Sequence, residues 1–178
     1  MSPVQRPADR PIAHILVPVD GSDCALHACR RAADLARRLD ARLTLCYVSD
    51  DLRTISTLAA ASQDVVGAWL QILADEARTA LRRALSEIAD VGPSAEAWIL
   101  HGVPVAAIGA FAEDAGADLI AMGSHGRSGV PRLVLGSVAE GVLRTSNIPV
   151  LIFRESASRR HDATQYLPNE RVFPEGGA

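Results

Sequence analysis

The segment Asp118-Leu-Ile-Ala-Met-Gly-Ser-His-Gly-Arg-Ser-Gly129 passes from an apolar run directly into a glycine-rich turn. Shortly after it, Leu135-Gly-Ser-Val138 opens a stretch in which apolar residues recur at helical spacing. A short apolar run bounded by turn residues predicts a buried strand, so this part of the chain predicts a strand, a loop and a helix in that order. Glycines at the end of such a strand allow unusual φ angles and a close approach of the backbone to a ligand.

The same alternation of strand and helix runs through the rest of the chain. Alternating elements form right-handed crossovers, which give a parallel sheet with helices on both faces. The sequence therefore predicts a single-domain α/β sandwich of three layers. The predicted strands are 14–20, 42–48, 95–100, 117–122 and 150–153, and the predicted helices are 24–40, 68–90, 104–115 and 137–145, with 52–67 interpreted as a mobile loop or a short helix.

Two polar segments are predicted to begin helices. Asp20-Gly-Ser-Asp23 follows the first strand and supplies both a turn and an N-cap. Ser137 is predicted to cap the helix after the glycine-rich loop. One face of the first helix is predicted to lie in the core, because its apolar residues recur at helical spacing; they are Leu26, Cys29, Ala33, Ala36 and Leu39.

Length and composition are those of one globular domain. The chain has 178 residues, a net charge of −3 and 48% hydrophobic residues, and ~100–200 residues per domain is usual. We predict a flexible leader over 1–11, a folded domain over 12–154 and a flexible tail over 155–178. No apolar run is long enough to cross a bilayer, and the first residues lack an apolar secretory segment, so we expect a cytoplasmic protein.

The make-up of the basic residues excludes several kinds of active site. All 18 are arginine, and the absence of lysine excludes Schiff-base catalysis and the lysine-containing P-loop. The negative net charge and the scarcity of aromatic residues also argue against a nucleic-acid surface. The arginines of the first helix, with Arg42 shortly after it, are therefore interpreted as a solvated face; those of the helix are Arg30, Arg31, Arg37 and Arg38.

The cysteines and tryptophans are interpreted as packing residues. Cys24, Cys29 and Cys46 contain no C-x-x-C pair, and cysteine is among the residue types most often buried. Trp69 and Trp98 are likewise expected to pack against apolar neighbours.

A ligand is expected at the carboxyl ends of the strands, where open α/β sheets bind their ligands. Gly123, Gly126, Gly136 and Ser137 lie between the fourth predicted strand and the helix after it. Free amides and the positive end of a helix dipole bind phosphate there. The segment predicts a phosphate cradle, with an ordinary glycine-rich connection as the alternative. Asp20, which ends the first strand, is predicted to bind a ribose or a base, or to serve only as a turn residue.

Together with Ile15-Leu-Val-Pro-Val-Asp-Gly-Ser22 and Asn147-Ile-Pro-Val150, these segments resemble the universal stress protein family over about residues 12–154. The resemblance implies a Rossmann-like sheet of five parallel strands in the order 3-2-1-4-5, similar to that of adenine nucleotide alpha hydrolases, with ATP in the crevice between strands one and four. Nucleotide-binding members of the family carry the pattern G-x2-G-x9-G-S/T, which is unbroken here as Gly123, Gly126, Gly136 and Ser137.

The resemblance also implies roles for single residues. Pro18, Val19 and Asp20 would line the adenine and ribose side, and Val48 would contact the adenine. Arg127 would meet a phosphate oxygen. The other cofactor-binding positions that it implies follow strand four and would hold the ribose and phosphates; they are Met122, Gly123, Ser124, His125, Gly126, Gly136, Ser137 and Val138.

We predict a stress-response protein that binds ATP, or AMP or ADP, and signals through nucleotide occupancy. Mg²⁺ would be held through the phosphates, and neither a catalytic residue nor a protein metal ligand is predicted. Because no lysine lies near the phosphates and His125 is interpreted as stabilising the loop, we expect little or no hydrolysis. The alternatives are a slow adenine-nucleotide hydrolase, for which Asp50 and Asp51 would be tested first, and a nucleotide-free interaction module.

Partners follow from the same resemblance. It implies a homodimer, formed through the last strand at 150–153, and an exposed edge strand is a natural site for pairing. We expect a regulatory protein partner, and neither a nucleic acid nor a membrane.

Overall fold

The computed structural model describes residues 11–50, 63–126 and 135–154. Strands and helices alternate there, as the sequence predicts. Most of the predicted leader, all of the predicted tail and much of the predicted loop at 52–67 lie outside these residues. The elements are β1 (His14–Pro18), α1 (Asp23–Leu39), β2 (Arg42–Ser49), α2 (Gln63–Ile88), β3 (Ala95–His101), α3 (Pro104–Asp114), β4 (Leu119–Gly123), α4 (Ser137–Thr145) and β5 (Val150–Phe153).

The five strands form one parallel sheet in the order β3-β2-β1-β4-β5, which confirms the implied order. The central strand β1 pairs with β2 from His14 and Arg42 onward, and with β4 at Ile15 and Leu119. The strand order therefore reverses at β1. In an open α/β sheet such a reversal leaves a crevice at the carboxyl ends of the two strands on either side of it, here β1 and β4.

Side chains of β1 alternate between two apolar layers. Ile15 and Val17 belong to the layer that also contains core residues of α1 and α2. Leu16 belongs to the opposite layer, with Ile108 of α3 and Val142 of α4. All three β1 side chains are fully buried, and each contributes roughly 1.5–3 kcal/mol to stability. Helices on both faces explain why Ile15, Leu16 and Val17 form an unbroken apolar run rather than alternating with polar residues.

Helix α1 begins at the cap that the sequence predicts. The Ser22 hydroxyl accepts a hydrogen bond from the Ala25 amide at 3.2 Å and donates one to Asp20 Oδ1 at 2.6 Å. At the other end, the prediction that Leu39 is buried was wrong, because this side chain is 42% exposed. Each step of three residues falls about 60° short of a full turn, so the apolar row drifts away from the core by Leu39.

Helix α2 begins at Gln63, earlier than the predicted start at 68. Its first turns carry three exposed apolar side chains, Val65, Trp69 and Ile72. Because these turns do not pack against the core, their apolar residues need not recur at helical spacing. The sequence pattern therefore does not predict a helix there. Trp69 is 45% exposed, so about half of its surface is covered, and its role as a packing residue stays a prediction. Trp98 is half exposed but packs against Phe111, with 5.7 Å between the ring centroids.

The cysteines and the charged face of α1 are as predicted. Cys24, Cys29 and Cys46 are buried and unpaired, and burial raises the pKa of Cys29 and of Cys46 to about 12, so both remain thiols at neutral pH. On the exposed side of α1, Arg37 and Arg38 both bind the carboxylate of Asp34. None of the helices in the described part of the chain is long and apolar enough to span a bilayer.

His14 is a buried polar residue at the amino-terminal edge of the sheet. Arg42 Nη2 lies 2.9 Å from its Nδ1, and Thr44 Oγ1 lies 2.8 Å from its Nε2. Because a guanidinium can only donate, Nδ1 accepts and the ring proton is on Nε2. Asp118 Oδ2 accepts from the His14 amide nearby. Burial, and secondly the charge of Arg42, lower the pKa of His14 below its usual value, so the ring is neutral in the folded chain.

Acid is expected to destabilise the fold through His14. In the unfolded chain a histidine has a pKa of about 6.5. Below that pH the unfolded chain takes up a proton that folded His14 resists, so the stability present at neutral pH falls as the pH is lowered. His14→Gln, which can keep both hydrogen bonds, is expected to flatten the pH dependence. Denaturant unfolding between about pH 7.5 and 5 gives the free energy of unfolding against pH for the parent chain and for His14→Gln. Equal slopes in the two proteins would contradict the conclusion that folded His14 resists protonation.

Candidate functional site

A cavity of about 340 Å³ opens at the carboxyl ends of β1 and β4. It lies in the crevice that the strand order predicts. The structure brings most of the predicted site residues together in its wall. These are Pro18, Val19, Asp20, Val48, Met122, Gly123, His125, Gly126, Gly136, Ser137 and Val138.

Four further residues line the cavity and were missed by the sequence reasoning; they are Ala25, Pro104, Ile108 and Ala139. Pro104 and Ile108 lie one turn apart in the first turns of α3, directly after β3. A signal for them was present, because the rule that ligands bind beyond the carboxyl ends of strands applies to the helix after β3 as well. Together with Val48 of β2, these two residues add apolar surface to the cavity lining.

The start of α4 forms another part of the cavity lining. Gly136 is the N-cap, with extended φ and ψ of −63° and 147° and no capping side chain. The prediction that Ser137 caps the helix was therefore wrong, because Ser137 is already the first helical residue. Without a side-chain cap, the first amides of a helix keep their capacity to donate to another acceptor. The residues that carry them, Ser137, Val138 and Ala139, all line the cavity.

Two glycines of this region, Gly123 and Gly126, lie where a Cβ would be too close to its neighbours. Among the described residues, positive φ occurs at Asp40 and at glycines 21, 102 and 116, and not at Gly123, Gly126 or Gly136. The expectation of unusual φ angles in the motif was therefore wrong. A Cβ at Gly123 would lie 2.9 Å from the Cys24 carbonyl oxygen, and one at Gly126 would lie 2.6 Å from Asp20 Oδ2. The close approach of the backbone to its neighbours is what excludes a side chain there.

Ser124 and His125 hold the loop after β4. The Ser124 amide donates to the Phe153 carbonyl at 3.0 Å, and its carbonyl accepts from the Gly136 amide at 2.8 Å. Ser124 is buried and is absent from the cavity lining, whereas His125 lies in it. His125 Nδ1 is 2.8 Å from the Ser124 hydroxyl, which agrees with the interpretation that His125 stabilises the loop.

Asp20 has the turn role that one of the two alternatives assigned to it. Its Oδ1 accepts from the amide and the hydroxyl of Ser22, at 3.0 and 2.6 Å. The same carboxylate lines the cavity, beside Gly126. The alternatives are thus compatible in space, and contact with a ribose or a base stays a prediction.

The remaining candidates lie away from the cavity or outside the described residues. Asp50 is absent from the cavity lining. Arg127 and Asp51 fall outside the ranges that the structure describes. Within those ranges, no group of three or more histidine, cysteine, aspartate or glutamate side chains is placed to hold a metal ion.

The sequence profile of the universal stress protein family matches residues 11–154. The chain belongs to this family. Universal stress protein MJ0577 of Methanocaldococcus jannaschii has a similar solved structure. The two are 31% identical with a TM-score of 0.71, and the match covers 84% of this universal stress protein and all of MJ0577.

Two other similar structures are complexes with adenine nucleotides. A universal stress protein in complex with cAMP is 29% identical with a TM-score of 0.60, and the match covers 83% of this chain and 100% of that one. The universal stress protein of Archaeoglobus fulgidus in complex with dAMP is 26% identical with a TM-score of 0.58, and the match covers 80% and 98% of the two chains. Two proteins that share this fold have thus been solved with an adenine nucleotide bound.

Proposed function

We propose that this universal stress protein binds an adenine nucleotide, with ATP as the expected ligand, and that occupancy of the cavity regulates a stress response. The observation that carries the proposal is the start of α4, which has no side-chain cap and lines the cavity beside Gly123 and Gly126. A helix start of this kind offers amide donors and the positive end of a dipole, which together favour a phosphate.

The rest of the cavity suits a nucleoside. The apolar lining residues Val48, Pro104 and Ile108 offer van der Waals contact to a planar base. Asp20 is an acceptor for ribose hydroxyls. The complexes of relatives with cAMP and dAMP support adenine as the base. Mg²⁺ held through the phosphates belongs to the same proposal.

Binding and sensing fit the site better than rapid hydrolysis. The chain contains no lysine to neutralise charge on a transferred phosphoryl group. Among the described residues, Asp20 is the one carboxylate in the cavity wall, and its Oδ1 already accepts two hydrogen bonds. In this proposal a regulatory protein reads the occupied state, and two copies of the chain pair through the edge strand β5.

The test uses protein purified without added nucleotide. Denaturing it and analysing the released small molecules by chromatography and mass spectrometry is expected to show an adenine nucleotide at up to one per chain. Titration of emptied protein with ATP, ADP and AMP gives the preference among them. Leu143→Gln, an exposed site on α4 that is absent from the cavity lining, is the matched control and is expected to bind like the parent chain.

Two outcomes would contradict the proposal in different ways. Protein that is purified empty and binds none of the three nucleotides would be an interaction module on a nucleotide-binding fold. Turnover of ATP at about 1 s⁻¹ or faster, which is within the ordinary range of enzymes, would make it a hydrolase.

A further inference from the structure

The first turns of α2 carry apolar side chains that lie outside the domain core. Among the described residues, α2 contributes to the core from Ala77 onward. Before that point Val65, Trp69 and Ile72 are each about half exposed. Residues four and three apart fall on one face of a helix, so these three side chains form a line that we call the apolar stripe. Contiguous exposed apolar surface usually marks a site of contact with another segment.

The same face of α2 continues into an acidic cleft. The cleft has a volume of about 700 Å³ and lies between the start of α1 and the middle of α2. Beyond the apolar stripe, steps of three or four residues lead to Glu76, Thr79 and Arg83, which all line it. The charged lining residues are four carboxylates and one guanidinium; they are Asp20, Asp23, Asp75, Glu76 and Arg83. The stripe and the cleft thus form one surface, apolar at one end and acidic at the other.

Two of the carboxylates have arginine partners on α2. Arg83 binds Asp23 at 3.0 Å, and Arg78 binds Asp75 at 2.9 Å. All four side chains are more than half exposed. Exposed ion pairs are weak, so these carboxylates remain accessible to a further guanidinium. An occupant that matches the surface therefore carries basic residues at one point and apolar residues at another.

Residues 155–178, which follow β5 and lie outside the described residues, have this composition. They include Arg159 and Arg160, which we call the basic pair, and further along Tyr166 and Leu167, the apolar pair. The segment starts where β5 ends, at the carboxyl edge of the sheet. The acidic cleft opens at the same edge, because Asp20 directly follows the end of β1.

The distances allow both pairs to make contact at once. In the sheet β5 lies three strands from β2, on which α2 packs, which is about 14 Å at ~4.8 Å per strand. Residues 155–160 span up to about 20 Å when extended, so the basic pair reaches the cleft. Along α2, Glu76 and Trp69 are about 10 Å apart. The chain between the basic and apolar pairs spans up to about 20 Å, which covers that separation.

We propose that residues 155–178 dock on this face of α2, with the basic pair in the acidic cleft and the apolar pair on the apolar stripe. Guanidinium groups form charge-assisted hydrogen bonds with carboxylates, and the apolar pair covers the exposed half of Trp69. Asp20 and Gly126 line both the cleft and the cavity, so the docked arginines lie beside the proposed nucleotide site.

This adjacency couples docking to nucleotide binding, and the coupling rests on the proposed function, whereas the docking does not. Phosphates in the cavity add negative charge next to the basic pair. ATP is therefore expected to strengthen docking, and docking is expected to strengthen ATP binding by the same factor. The segment then distinguishes the occupied from the empty domain, because its docked fraction follows occupancy.

Paramagnetic NMR tests the docking in the full chain. The two tryptophans give two indole N–H signals, and Trp98→Phe assigns them. A nitroxide attached at Gln165→Cys is expected to broaden the Trp69 signal. It is expected to leave the Trp98 signal sharp, because Trp98 packs on Phe111 of the opposite apolar layer. The three native cysteines are buried and so take up little label.

Charge exchange tests the ion pairs. Arg159→Glu combined with Arg160→Glu is expected to lower the ratio of docked to undocked chains about tenfold or more and to sharpen the Trp69 signal. Glu76→Arg is expected to act in the same direction. All three changes together are expected to recover part of the docking, because the charges are exchanged rather than removed. Arg171→Glu, in the same segment but outside the basic pair, is the matched control and is expected to keep the broadening.

A mixture of chains distinguishes docking within one chain from docking between two copies. Nitroxide-labelled chains without nitrogen-15 are mixed with unlabelled chains that contain it. Broadening of Trp69 in the mixture would show that a second copy covers the stripe, and would overturn the inference. A sharp Trp69 signal in the labelled chain would leave the surface to a separate protein and overturn it as well. Equal broadening in the parent and the charge-reversed segment would exclude the ion pairs and have the same consequence.

The outcomes also separate this inference from the proposed function. If the segment docks and the chain binds no nucleotide, the docking is confirmed and the proposed function fails. If ATP binds and the segment does not dock, the inference fails and the proposed function is unaffected. If both occur and ATP leaves the broadening of Trp69 unchanged, the coupling is contradicted.

Discussion

Gly123→Val is expected to lower both thermal stability and nucleotide affinity more than any other single change in the site. A Cβ at this position would lie 2.9 Å from the carbonyl oxygen and Sγ of Cys24, and 3.0 Å from its carbonyl carbon. Backbone atoms of α1 cannot rotate aside as the end of a flexible side chain can. The new side chain therefore forces β4 and α1 apart, and α1 packs directly on this strand.

The expected size follows from the cost of overpacking. Extra groups in a well-packed interior cost about 1–3 kcal/mol and occasionally more, and valine adds two methyl groups beyond the Cβ that already collides. We expect the free energy of unfolding in urea to fall by about 3 kcal/mol, and Gly123→Ala to show a smaller loss. Binding is expected to fail as well, because the loop that carries Ser124 and His125 starts at this residue.

A matched substitution checks that the effect comes from this contact. A Cβ at Gly109, within α3, would meet nothing within 4 Å. Gly109→Val is expected to be neutral or slightly stabilising, because valine is a better helix former than glycine. Parent-like stability of Gly123→Val would show that β4 and α1 are not packed as closely as described.

The positions of the glycines in the site could be predicted from the sequence, but the reason for glycine at those positions could not. The spacing placed Gly123, Gly126 and Gly136 at the site, and all three line the cavity. One of the two reasons suggested for them, unusual φ angles, was wrong. At Gly123 and Gly126 the atoms that exclude a side chain belong to Cys24 and Asp20. Those residues are about 100 positions away in the chain, and a contact of that kind is invisible to local pattern.

The bounds of helices and strands could be predicted wherever packing against the core requires apolar residues at regular spacing. The bounds of α4 and β5 agree with the prediction, because apolar spacing is regular up to their ends. The start of α2 was missed, since its first turns expose Val65 and Ile72 and so carry no readable pattern. The strand order was predicted from the family resemblance. Ile108 was missed because a single apolar residue on a helix fits a core position as well as a position in a cavity lining.

Gly136→Asp is expected to separate stability from binding, because one side chain affects both in opposite directions. Gly136 has φ of −63°, which any residue adopts, and a Cβ there would meet its neighbours at 3.4 Å, an ordinary contact. Aspartate is a strong N-cap and its charge suits the helix dipole, so α4 is expected to gain about 0.5–1 kcal/mol in the ligand-free protein. Thermal unfolding without nucleotide measures this gain.

The same carboxylate is expected to weaken nucleotide binding. As an N-cap it accepts hydrogen bonds from the amides of Val138 or Ala139, which line the cavity. It also places a negative charge where the phosphate is proposed to bind. Two like charges about 4 Å apart near a protein surface repel strongly, so we expect ATP affinity to fall about a hundredfold or more in calorimetric titration.

Two further variants distinguish the causes of that loss. Gly136→Asn supplies a neutral cap, so it is expected to occupy the amides without repelling the phosphate and to lose less affinity. Val103→Asn adds a cap to α3, whose N-cap residue is exposed, has no capping side chain and is absent from the cavity lining. It is expected to stabilise the protein and leave binding unchanged. If Gly136→Asp binds ATP as tightly as the parent chain, the phosphate does not lie at the start of α4, and the main support for nucleotide binding in this cavity is lost.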